Sequence, residues 1–192
     1  MSRSAEVERQ TRETRVAVSV DLDGIGTSEI QLSMGFLRHM LQSLATHSAI
    51  DMRVTATGDL DHHVSEDTAL CLGEAVRKAV DTNLGIVRFG HAVVPMDCSL
   101  CEVALDLGGR AYSVIDLGLA SPSVEGWSSD DVEHFFRSLS TSLKANLHVR
   151  CHYSRNDHHC VEAAFKALGL SLRQATALDP RRAGVPSSKG VL

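Results

Sequence analysis

Apolar and polar residues alternate along Val16-Ala-Val18-Ser-Val20-Asp-Leu22, the period-two pattern of a half-buried strand. Asp23-Gly24-Ile25-Gly26 reads as a turn and Ser28 to Leu32 as its hairpin partner, so a hairpin is expected to open the chain. Phe36, Leu37, Met40, Leu41 and Leu44 then recur at helical spacing. Ile50-Asp-Met52-Arg-Val54-Thr-Ala56 alternates like a strand until Gly58-Asp59 breaks it, and a second helix is predicted from about Ser65 to Val80 with Ala69, Leu72 and Val76 on its inner stripe.

The same order returns further on: strand Cys101 to Leu107, turn Gly108-Gly109, strand Ala111 to Leu117, helix Asp130 to Leu143, strand Leu147 to Tyr153 and helix His158 to Ala175. The expected fold is therefore α+β, built of two ββαβα half-domains over residues 1–95 and 96–178, with an irregular tail over 179–192. Aligning the halves sets His158-His159 on His62-His63 and Glu162 on Glu66. A duplicated unit implies a pseudo-twofold arrangement of its sites.

Composition narrows the class. A chain of 192 residues with 43% hydrophobic content buries a real core, and one domain or two small ones are equally natural. A net charge of −5 with no Lys/Arg-rich stripe argues against a nucleic-acid surface, which needs clustered cations. No run of about 18 apolar residues and no apolar leader core are present, so a soluble cytoplasmic protein is expected. Five cysteines, an odd and scattered set, suit a reducing compartment better than a disulfide framework. Ten histidines are the anomaly.

Residues four apart stack on one face of a helix, so His62 with Glu66, and His158 with Glu162, can grip one ion together. Adjacent residues point about 100° apart, so His63 and His159 should face a second ion. Each half thus offers one histidine to each of two neighbouring sites, and the glutamates favour Mn²⁺, Fe²⁺ or Zn²⁺ over copper. His39 on the first helix and His148 on the strand before the second pair could complete the shells. The lone histidines His47, His91, His134 and His152 read as satisfied polar or surface residues. Cys98-x-x-Cys101 lacks the second pair of a zinc ribbon and reads as structural. Arg181-Arg182 and Ser187-Ser188-Lys189-Gly190 offer a phosphate grip, or equally a solvated terminus.

The chain resembles the imidazoleglycerol-phosphate dehydratase family over nearly its whole length. The likeness rests on Phe36-Leu-Arg-His39-Met-Leu, Gly58-Asp-Leu-Asp-His62-His63-Val-Ser-Glu66-Asp, Arg88-Phe-Gly-His91, Val94-Pro-Met-Asp97, Leu147-His148-Val-Arg, Asn156-Asp-His158-His159-Cys-Val-Glu162-Ala, and Asp179-Pro-Arg-Arg-Ala-Gly through Pro186-Ser-Ser-Lys189-Gly-Val-Leu192. The resemblance implies halves like the second domain of ribosomal protein S5, and a large homo-oligomer of trimers, on the order of 24 subunits, with sites between subunits. It implies that His39, His62, His63, Glu66, His148, His158, His159 and Glu162 bind two Mn²⁺ ions. Glu13, His39, His47, Arg88, Arg110, Ser188 and Lys189 would contact the substrate, with both arginines, Ser188 and Lys189 facing its phosphate.

The implied reaction is loss of water from imidazoleglycerol phosphate, in histidine biosynthesis. Two ions flanking the imidazole would stabilise it as the imidazolate, whose electrons help expel the adjacent hydroxyl. Glu13, Glu66 and Glu162 are the candidates for moving protons. The chain departs from the family pattern in a shorter loop before His62, in Arg38 where an aspartate is usual, and in Cys98 where a glutamate is usual. Arg38 removes an acceptor beside His39. Two other readings use the same ligands: a dinuclear phosphoester hydrolase, and a non-catalytic protein in which metal ties subunits together.

Overall fold

A computed structural model describes residues 3–80, 85–181 and 184–189. Its first half comprises strands β1 (Ser4–Gln10), β2 (Thr14–Asp21) and β3 (Ser28–Gln31), helix α1 (Gly35–Ser48), strand β4 (Asp51–Gly58) and helix α2 (Asp61–Val80). The second repeats the series with β5 (Phe89–Met96), β6 (Ser99–Asp106) and β7 (Tyr112–Asp116), a small hairpin of β8 (Ser123–Val124) and β9 (Trp127–Ser128), then α3 (Ser129–Leu143), β10 (Asn146–Tyr153) and α4 (Asp157–Thr176). The sheets run in the orders β1-β2-β4-β3 and β5-β6-β10-β7, each with the same single parallel pair, β3 with β4 and β7 with β10. The α+β class and the duplication stand.

Two details of the expected ββαβα unit change. Each half begins with one more strand, β1 or β5, and the opening hairpin is not formed by β2 and β3. β2 is already flanked by β1 and β4, so β3 crosses over and pairs parallel to β4, Ser28 against Met52. Asp51 holds the crossing turn: its Oδ1 accepts from the Ile25 N–H at 3.0 Å and the Thr27 N–H at 2.8 Å. A hydrogen bond from the Thr27 side chain, and then these backbone bonds, hold the Asp51 carboxyl below its usual range.

α2 packs on β1 and β2, and α4 on β5 and β6, while α1 meets α4 and α2 meets α3 across the halves. The helices therefore lie between the two sheets, and the inward residues of β2 (Val16, Val18, Val20) and β6 (Cys101, Val103, Leu105) join one continuous core. Trp127, Phe135, Phe136 and Phe165 close its centre with ring centroids 4.9–6.3 Å apart. The halves share this core, so neither is a separate apolar body. Among the described residues no helix is long and apolar enough to cross a membrane.

Candidate metal centre

The cross-half helix pairs each build a cluster of donors. Where α1 meets α4, His39, His158 and Glu162 bring one ligand atom each within 4.8 Å of the others. Glu162 Oε2 lies 3.4 Å from His39 Nε2 and 3.3 Å from His158 Nε2. Where α2 meets α3, His62, Glu66 and His134 form the counterpart. Glu66 stands 3.9 Å from His62 Nε2 and 3.3 Å from His134 Nε2, and the two imidazoles stack at 5.4 Å. The pseudo-twofold axis relates the clusters: α1 gives His39 to one and α3 gives His134 to the other.

In each cluster the α2 or α4 histidine is held by a carboxylate on its far nitrogen. His62 Nδ1 contacts Asp131 Oδ1 at 2.6 Å, and His158 Nδ1 contacts Glu125 Oε1 at 3.2 Å. A carboxylate accepting the Nδ1–H leaves Nε2 with its lone pair aimed at the neighbouring glutamate, the arrangement that orients histidine ligands. Two imidazoles and a carboxylate about 3–4 Å apart suit an ion with bonds of about 2.1 Å and borderline-hard character. The donor sets therefore fit a divalent ion of the Mn²⁺, Fe²⁺ or Zn²⁺ kind.

The first turn of α4 is set by the chain itself. Asn156 caps it, its side-chain oxygen accepting from the N–H of His158 at 2.9 Å and of His159 at 3.3 Å. Asp157 accepts from the N–H of Ala120 and Ser121, and despite burial these bonds hold its carboxyl below the usual range.

The middle histidines turn away from both clusters. His63 Nδ1 meets Asp59 Oδ1 at 2.8 Å and lies 3.8 Å from Glu13; the Asp59 hydrogen bond raises the His63 pKa. His159 Nδ1 sits 3.5 Å from Cys98 Sγ, with Nε2 3.6 Å from Asp97. Glu13 and Cys98 occupy equivalent turns, β1–β2 and β5–β6.

The electrostatics of the clusters differ. Glu162 is only 7% exposed, and although burial pushes its carboxyl up, the hydrogen bond and charge of Lys166, then of His39, hold it below the usual range. Lys166 Nζ lies 2.9 Å from Glu162 Oε1. Leu70 stands at the equivalent place on α2, beside the half-exposed Glu66. Burial, and then the Lys166 charge, lower the pKa of His47 at the end of α1.

His148 does not join either cluster. It lies on the outward face of β10, in register with Ala104 and Val114 and 6.2 Å from the Tyr112 ring. Arg88 binds Asp106 through Nε at 2.6 Å and Nη2 at 3.0 Å, and its Nη1 donates to the Pro186 carbonyl at 2.9 Å. This docks the tail, leaving Ser188 and Lys189 exposed beside it. Arg110 is exposed on the β6–β7 turn, its carbonyl accepting from Asn146. Among the described residues, no hydrogen bond or ion pair links Arg88, Arg110, Ser188 or Lys189 to either cluster. Arg182 and Gly190 lie outside the described residues. Sequence reasoning passed over His134, Asp131, Glu125 and Lys166; the repeat itself carried the signal for His134, because it aligns α3 with α1.

The family model described as imidazoleglycerol-phosphate dehydratase matches residues 32–172. The imidazoleglycerol-phosphate dehydratase of Desulforamulus reducens is 47% identical over 195 residues, covering 100% of both chains. That of Methanocella arvoryzae is 48% identical, covering 99% of this chain and 100% of its own. Among solved structures, IGPD from Pyrococcus furiosus superposes with a TM-score of 0.85 at 38% identity, over 97% of this chain and 100% of that one. The imidazoleglycerol-phosphate dehydratase of Staphylococcus aureus gives 0.82 at 29% identity, over 92% and 99%. Donor clusters repeated across a duplicated fold, and likeness that runs the length of the chain, agree: the chain belongs to the imidazoleglycerol-phosphate dehydratase family of hydro-lyases.

Proposed function

We propose that this chain removes water from imidazoleglycerol phosphate to give imidazole acetol phosphate, in the cytoplasmic synthesis of histidine, using two divalent metal ions, Mn²⁺ first. The observation that carries the metal reading is the repeated cluster in which a carboxylate orients one histidine toward a glutamate and a second histidine. His39, His158 and Glu162 would hold one ion, and His62, Glu66 and His134 the other. Bound ions supply Lewis acidity, which favours the deprotonated form of the substrate imidazole and a template for orienting it.

His63 and His159 face away from their own clusters, which supports sites shared between subunits of a homo-oligomer, each completed by a neighbour's middle histidine. Glu13, 3.8 Å from His63, is the carboxylate poised to move a proton at the reacting carbon, because Glu66 and Glu162 are committed to the clusters. Arg88 anchors the tail through Pro186 while Asp106 holds its Nε and Nη2, and its two remaining N–H donors can face the phosphate. Ser188, Lys189 and the exposed Arg110 would join Arg88 in binding the phosphate, supplying binding energy remote from the reaction.

Turnover of imidazoleglycerol phosphate by metal-depleted protein, before and after Mn²⁺ is restored, tests the reading directly. Activity is expected only after restoration, and only the keto product should form. Release of inorganic phosphate would favour a hydrolase instead. His63→Ala and His159→Ala should each abolish turnover and lower bound metal; full activity with unchanged metal content would sink the two-ion arrangement.

A further inference from the structure

Apart from the histidine clusters, one group of donors converges from three elements. Cys101 on β6, Cys151 on β10 and Cys160 on α4 bring their sulfurs within 4.8 Å of one another. Cys101 and Cys151 are directly opposed across the antiparallel β6–β10 pair, and Cys160 faces them from the helix, with its Sγ 3.8 Å from that of Cys101. Cys101 and Cys160 are fully buried. Cys151 is partly exposed beside the bulge that ends the β6–β10 ladder, and it lines a cleft of about 640 Å³ together with Leu117, Glu125 and His158.

We infer that Cys101, Cys151 and Cys160 form a binding site for a thiophilic divalent ion of the Zn²⁺ and Cd²⁺ class, with one coordination position open to the cleft. The geometry is close to what such an ion requires. Metal–sulfur bonds of about 2.3 Å in a tetrahedral shell put sulfurs roughly 3.8 Å apart. The Cys101–Cys160 separation already has that value, and the remaining pairs need to close by at most about 1 Å. Sulfur also separates this site from the histidine clusters by preference: thiolates select soft ions, while the imidazole–carboxylate sets accept harder ones.

Binding is not a redox step. Three metal–sulfur bonds form, three S–H bonds break and three protons pass to solvent, leaving one net negative charge on the complex. That charge falls in the first turn of α4, where Cys160 is the fourth residue and the helix dipole is favourable to anions. An ion held there would tie the turn that carries His158 and His159 to β6 and β10. The cleft supplies the entry path that two fully buried thiols would otherwise lack.

The test uses the whole, reduced protein, its histidine clusters first filled with Mn²⁺, titrated with Cd²⁺ while the ultraviolet thiolate-to-cadmium charge-transfer band is followed. One Cd²⁺ per chain should bind with that band, and bound Mn²⁺ should remain. Cys151→Ser is the informative variant, because Cys151 is partly exposed and the change keeps the volume of the core. The band should vanish in Cys151→Ser and persist in Cys98→Ser. Absence of the band in the parent protein, its survival in Cys151→Ser, or its loss in Cys98→Ser would each overturn the assignment.

Discussion

At the scale of single residues, the difference between His134 and His148 separates what the sequence offered from what the fold decides. Both are lone histidines. His134 aligns with His39 when α3 is laid on α1, and the same alignment sets the buried Phe135 and Phe136 on Met40 and Leu41. His148 has its place on the strand before His158 and the family resemblance in its favour, but strand alternation turns it outward. His134→Ala should therefore reduce bound metal and turnover as severely as His39→Ala, while His148→Ala leaves metal per chain unchanged by elemental analysis. Loss of metal in His148→Ala with none in His134→Ala would reverse the assignment. The paired His62-His63 and His158-His159 motifs were legible because chemistry and repetition coincide in them. Lys166 stands four residues after Glu162, a spacing the sequence does show, but the burial of that carboxylate, which gives the pair its weight, is not legible locally.

Asp157 shows how a residue outside the clusters sets their geometry. Its carboxylate receives the Ala120 and Ser121 amides and fixes the start of α4. Because the folded state depresses its pKa, the ionised form contributes stability that is fully present above the unfolded value of 3.8 and is lost as pH falls through the lower folded value. Asp157→Asn should lower stability by about 1 kcal/mol near neutral pH. The gap to the parent should shrink as unfolding is repeated at progressively lower pH. A gap that widens on acidification would contradict the sign of this linkage.

Among elements, the close crossings of helices from opposite halves are what align the donors. Gly73 on α2 and Gly169 on α4 occupy equivalent places, each where the partner helix's backbone passes nearest. A Cβ at Gly73 would stand 2.7 Å from the Leu139 carbonyl of α3, and one at Gly169 would stand 3.1 Å from the Leu44 carbonyl of α1. Backbone cannot yield as a flexible side chain can, so Gly73→Ala should separate α2 from α3 and cost roughly 1–3 kcal/mol. Gly169→Ala, with more room, should cost less. Thermal unfolding ranks them, and the metal content of the α2–α3 cluster should fall in the first variant. The sequence exposed these helices through their apolar stripes, but hid β1 and β5. In β1 only Val7 is buried, and although β5 alternates in burial, it sets Gly90 on the inner side and Phe89, Val93 and Pro95 on the outer, so apolar residue types do not mark the inward face of either strand. The β2–β3 hairpin failed for a related reason: without β1 in view, β2 seemed to have an unpaired edge for β3 to occupy.

For the whole molecule, the two sheets present different surfaces to solvent. The outer face of the first is lined by Arg15, Ser19, Glu29, Arg53 and Thr55. The second exposes Phe89, Val93, Tyr112, Val114 and, at the end of β10, Tyr153, each more than two-fifths accessible. Apolar side chains gathered on one face of one sheet mark an interaction surface more often than chance exposure does. A homo-oligomer with shared sites also needs such a surface, since no hydrogen bond or ion pair among the described residues joins the phosphate-binding candidates to the clusters within one chain. Val114→Asp places a charge among these side chains, on the edge strand β7, and should yield smaller particles by sedimentation velocity, with lower metal content and turnover if neighbours complete the sites. Thr55→Asp, on the polar face of the first sheet, should leave particle size unchanged. Unaltered size in Val114→Asp would remove the second sheet from the assembly. Unaltered metal content in dissociated Val114→Asp particles would mean that each chain completes its own clusters, and the outward turn of His63 and His159 would then need a different partner.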